Sequence, residues 1–118
     1  MIVKLGKIIN SVSAFKTLAG QVVSAKTSFR IAKILNVLQK ELDVFEETKN
    51  SLVAKHQTMN EAGSLELTKE NMEIAKKSLE ELLEMEVTLD VQPMNISDLA
   101  GINITISNMM LMEFIFTE

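Results

Sequence analysis

The chain has 118 residues, eight methionines, no tryptophan, tyrosine or cysteine, and a formal charge of −4. That length gives one domain with a modest core, and the lack of cysteine excludes disulfides, thiolate nucleophiles and cysteine-ligated zinc. The net charge hides a split: the first forty residues carry Lys4, Lys7, Lys16, Lys26, Arg30, Lys33 and Lys40 and no carboxylate, while the rest hold all 16 Asp and Glu against five lysines. Such a dipole bears on partners and assembly rather than on catalysis.

In chain order, residues 1–5 read as a short strand. Gly6 opens an apolar-periodic segment (Ile8, Ile9, Val12, Phe15, Leu18, Ala19), which predicts a helix that stops at Gly20. From Val22 to His56 there is neither Gly nor Pro, and Ile31, Leu35, Leu38, Leu42, Phe45 and Leu52 form a heptad stripe with Lys49 in its open slot. Val22, Ala25, Phe29 and Ala32 add a second apolar line at its start. Residues 57–68 are a polar turn, with 64–67 as a short extended piece. Thr68 is the expected N-cap of a second helix whose stripe is Met72, Ala75, Leu79, Leu82 and Leu83. These two helices form an antiparallel hairpin in which the second covers only the acidic half of the first. The basic half, 22–40, is left for the N-terminal helix or another copy.

At Val87, Leu89 and Val91 the period changes to alternation, which predicts a strand ended by Pro93. A helical turn over 97–101 follows. Ile102, Ile104 and Ile106 alternate again and are expected to pair with the 87–92 strand. Thr105 or Ser107 then caps a final apolar helix over 109–116. The expected fold is therefore α+β: one domain over 1–118, with a strand and helix in 1–21, a long helical hairpin in 22–85, a strand-turn-strand-helix in 86–118, and a small antiparallel sheet at one end, built from 87–92 and 102–106 with 1–5 as a candidate third strand. The opening residues lack the apolar run of a signal peptide, and no stretch has the length of a membrane span.

Lys26, Arg30, Lys33 and Lys40 share one helical face within about 80°. The plain reading is a solvated cation face. A second is pairing with an acidic surface of another protein, and a third is contact with phosphates of nucleic acid. No aromatic residue interleaves them to stack on bases. The carboxylates Glu41, Asp43, Glu46 and Glu47, and Glu73, Glu80, Glu81 and Glu84, flank the stripes as surface residues, and Glu73–Lys77–Glu81 has helix-pairing spacing. His56 is the only histidine and reads as an end-of-helix residue. No metal motif, activated nucleophile or phosphate-cradling glycine loop is present, so no catalytic residue, metal or cofactor is expected. The 109–116 run either docks into the core or covers a neighbouring subunit. Val22, Phe29, Met109, Met112 and Phe116 are the candidate contact residues, and a homodimer is the simplest assembly.

Three segments together resemble a family of small proteins of tailed bacteriophages and prophages of Gram-positive bacteria, a domain of unknown function of the DUF1617 type. They are Val3-Lys4-Leu5-Gly6-Lys7-Ile8-Ile9-Asn10, residues 30–49 (RIAKILNVLQKELDVFEETK), and residues 79–91 (LEELLEMEVTLDV) leading into Pro93-Met94-Asn95-Ile96-Ser97-Asp98-Leu99. The resemblance implies a phage-encoded protein made in the bacterial cytoplasm, or carried on the virion, and brings no catalytic residues with it. The expected role is a non-enzymatic one through contacts with phage or host proteins: assembly factor, minor structural component or modulator of a host protein. The alternative is a nucleic-acid-binding accessory protein using Lys26, Arg30, Lys33 and Lys40.

Overall fold

The computed structural model describes residues 1–117. The chain opens with β1 (Ile2–Lys4) and passes directly into α1 (Leu5–Ala19). Seven of that helix's residues are buried, from Leu5 to Leu18, including Ser11, whose hydroxyl donates to the Ile8 carbonyl at 2.7 Å. Gly20 caps α1, donating its N–H to carbonyls of the last turn.

The long helix is continuous. It runs as α2 over Ala25–His56, 32 residues and roughly 48 Å. It starts three residues later than the periodicity predicts, because Ser24 is extended and its hydroxyl accepts the Thr27 N–H at 3.2 Å. At its far end, β2 (Thr58–Met59) and β3 (Leu65–Glu66) pair antiparallel. Gly63, at φ +81°, turns the chain between them. Thr68 caps α3 (Lys69–Leu83) as expected, accepting from Asn71 N–H, and the Asn71 side chain donates to the His56 carbonyl at 3.0 Å. That bond ties the start of α3 to the end of α2.

The main core lies at the other end. Val3, α1, the first half of α2 (Ile31, Ile34, Leu38), Leu89, Met94, Leu99, Met112 and Ile115 form one apolar cluster. No residue of α3 belongs to it. Of the α3 stripe only Ala75 is buried, and Met72 is about half exposed. The hairpin therefore projects as an arm from a molecule measuring 59 × 26 × 23 Å. Its foot is close-packed: a Cβ on Gly6 would sit 3.2 Å from the Leu83 carbonyl oxygen, so glycine lets α1 approach the end of α3. β1 pairs antiparallel with β4 (Glu86–Thr88) across the same junction, and Leu5 N–H donates to Met85 O at 2.8 Å.

The fold is α+β, with packed helices dominating and small two-stranded sheets between them. Three details differ from the sequence expectation. Ile102 and Ile104 do alternate in burial with Asn103 and Thr105, but they form no ladder; β4 takes β1 as its partner instead. The final helix α4 is shorter, Ile106–Met112, and Thr105 caps it. The chain then tightens into a 3₁₀ turn and ends the described region as β6 (Phe116–Thr117), parallel to β5 (Met94–Asn95). Among the described residues, no helix is long and apolar enough to cross a membrane.

Candidate functional site

A groove of about 960 Å³ opens along the basic half of α2. One wall is the helix face carrying Lys26, Phe29, Arg30 and Lys33, with Ile34 and Val37 below. The other is the segment 90–98, joined by Thr117. Ser24 starts the helix so that positions 26, 30 and 33 fall on one face. Leu89 and Met94 anchor the opposite segment in the core, and Pro93 between them faces out. Asn95 Oδ1 accepts the Ser97 N–H at 2.9 Å, which starts the short 3₁₀ turn bearing Asp98.

Charge and aromatic surface meet here. Arg30 Nη1 lies 3.2 Å from Asp98 Oδ2, an ion pair joining the two walls. Lys33 Nζ sits 5.4 Å from the centroid of the Phe29 ring, within cation–π range. Phe29 is 65% exposed, and Asp90 adds a second carboxylate to the far wall. Among the described residues, neither Lys26 nor Lys33 has an ion-pair partner. Lys4 and Glu84 form an ion pair at 2.7 Å at the foot of the arm. There the hydrogen bond that Lys4 Nζ donates to Glu84, and then the charge of that carboxylate, hold the Lys4 ammonium above the ordinary lysine pKa. The Glu73–Lys77–Glu81 spacing on α3 closes no ion pair.

The predicted site residues divide in two. Lys26, Arg30 and Lys33 border the groove together, but Lys40 lies beyond it, so the row of four cations is broken. Val22 is fully exposed just before α2. Met112, by contrast, is wholly buried in this chain's own core, Phe116 stacks on Phe15 with ring centroids 6.4 Å apart, and Met109 packs half-buried against the same cluster. For Met112 the contact expectation is corrected, because its side chain lies wholly within this chain's own core; Met109 and Phe116 pack against that core and stay half-exposed. The far wall, with Asp90, Val91, Pro93 and Asp98, was not read from the sequence. Its sole local signal is Pro93, which marks an edge; that it faces α2 depends on contacts about sixty residues apart.

His56 ends α2, its ring donating from Nδ1 to the Leu52 carbonyl at 2.8 Å, far along the arm from the groove. Among the described residues, no three metal-ligating side chains come together. The groove brings together cations, an exposed ring and the chain segment that leads through Pro93. No protein-family model, curated protein or solved structure matches this chain.

Proposed function

We propose that this protein works through protein contacts made at the α2 groove, without catalysing a reaction. Its role is that of an assembly factor, minor structural component or modulator of a host protein, encoded by a bacteriophage or prophage. The phage context rests on the resemblance carried by residues 3–10, 30–49 and 79–99. The contact role rests on one observation: Phe29 stands exposed among Lys26, Arg30 and Lys33 on the wall of an open groove. Aromatic and arginine side chains are enriched where protein interfaces concentrate their binding energy.

The nucleic-acid reading has less support. Arg30 is engaged by Asp98, Asp90 borders the same groove, and Lys40 stands apart, so a phosphate chain would meet two carboxylates beside three cations. Affinity purification of the tagged protein from a host bacterium separates the two readings. The expected result is one protein retained in near-equal amount, unaffected by nuclease. Retention of nucleic acid alone, or of proteins released by nuclease, contradicts the proposal.

A further inference from the structure

The strand β4 does not end where its pairing ends. Its ladder with β1 closes at Met1 and Leu89, where Leu89 N–H donates to the Met1 carbonyl at 2.8 Å. Beyond that point the two-residue rhythm continues: Val87 and Val91 are half-buried and Leu89 buried, while Thr88, Asp90 and Gln92 are exposed. The chain thus stays extended up to Pro93. Among the described residues, no hydrogen bond reaches the backbone N–H or C=O of Asp90, Val91 or Gln92. An extended segment with unpaired backbone groups is a template for another strand.

That segment is one wall of the groove. The other wall, on α2, carries Lys26, Arg30 and Lys33 as its only charges; across the groove Asp98 is taken up by Arg30, so Asp90 alone stands against Lys26 and Lys33 and a positive excess is left. Lys26 and Lys33 are unpaired among the described residues, and Phe29 lies between them. At about 960 Å³ the space is at the top of the range of small-molecule pockets, roughly 300–1,000 Å³, which gives room for a stretch of chain.

From these features we infer that the groove takes an extended peptide of a partner protein that alternates acidic and apolar residues. The peptide adds as a strand beside residues 90–92. Its backbone pairs with free N–H and C=O groups among them; its acidic side chains, all on one face of the strand, reach Lys26 and Lys33 and lay their methylene stems over Phe29, and its apolar ones face the opposite way. This rests on the contact role proposed above and specifies its ligand.

Three synthetic hexapeptides test it by NMR titration of the isotope-labelled protein: acetyl-(Glu-Val)₃-amide, the same sequence with alternate backbone nitrogens methylated, and acetyl-(Lys-Val)₃-amide. The acidic peptide should shift amide signals over 26–33 and 90–92, and slow exchange of an amide within 90–92. Methylation should weaken binding at least about tenfold, through loss of the strand hydrogen bonds. The lysine peptide should leave the groove unshifted. No groove shift with millimolar acidic peptide overturns the inference, as does equal binding of the lysine peptide. Equal binding of the methylated peptide overturns strand addition while leaving the groove as a contact face; failure of the contact role itself shows separately, in the nuclease-treated purification.

Discussion

Phe15→Ala should lower the unfolding free energy by about 3–5 kcal/mol, the largest loss expected from a single side chain here. Phe15 is wholly buried on α1 and stacks on Phe116 of β6. It shares one cluster with Ile31, Ile34 and Leu38 of α2 and with Met112 and Ile115 near the chain's end. Its removal would leave a cavity where the first helix, the long helix and the last strand converge. A domain of this size holds only about 5–15 kcal/mol in total, and no residue of α3 belongs to the main core. Urea unfolding of the variant should show a midpoint well below that of the parent. A loss under about 1 kcal/mol would mean that the C-terminal strand is not held by this stack.

Phe29→Asp should do the reverse: keep the fold and remove the function. Phe29 is mostly exposed and lies outside the core cluster, so the variant's unfolding free energy should change by no more than about 0.5 kcal/mol. Affinity for a protein partner should fall at least about thirtyfold, the loss typical of an anchoring side chain worth roughly 2 kcal/mol. Two effects add. The apolar ring is lost, and a carboxylate now stands beside Lys33, where the ring stood at 5.4 Å, and neutralises the charge offered to an acidic partner. Calorimetric titration of variant and parent with the purified partner measures the difference. Unchanged affinity would remove Phe29 from the contact face, and a fall matched by a drop in melting temperature would make the effect one of folding.

The helices were legible because their signals are local. The Ile31, Leu35, Leu38, Leu42, Phe45 stripe marks α2 as a helix, although its unbroken passage through Gln39 and Lys40 is shown by the structure alone, and Thr68 and Thr105 act as caps through their own hydroxyls. Alternation at Val87 and Leu89 marked β4 for the same reason. Alternation at Ile102 and Ile104 misled, since period two reports which side chains face the core and says nothing of whether a neighbouring backbone is there to bond. Here Asn103 O accepts only from the Gln21 side chain among the described residues, at 3.3 Å. The Met94–Phe116 pairing is a two-residue parallel bridge with no pattern of its own. One half of the groove, Lys26, Arg30 and Lys33, followed from helical spacing. The other half depends on where the core anchors Leu89 and Met94, which no local pattern encodes.

The proposed contact face is the α2 groove, away from the thin arm. Both surfaces show apolar side chains, for Met59, Leu65 and Met72 on the arm are exposed as Phe29 is, so exposure alone does not choose between them. Amide hydrogen exchange of the protein alone and bound to its purified partner does. Binding at the groove should slow exchange over 90–95 and at the groove-facing turns of 26–33, and leave 57–66 at the end of the arm unchanged. Slowing confined to the arm, with 90–95 exchanging as in the free protein, would contradict it.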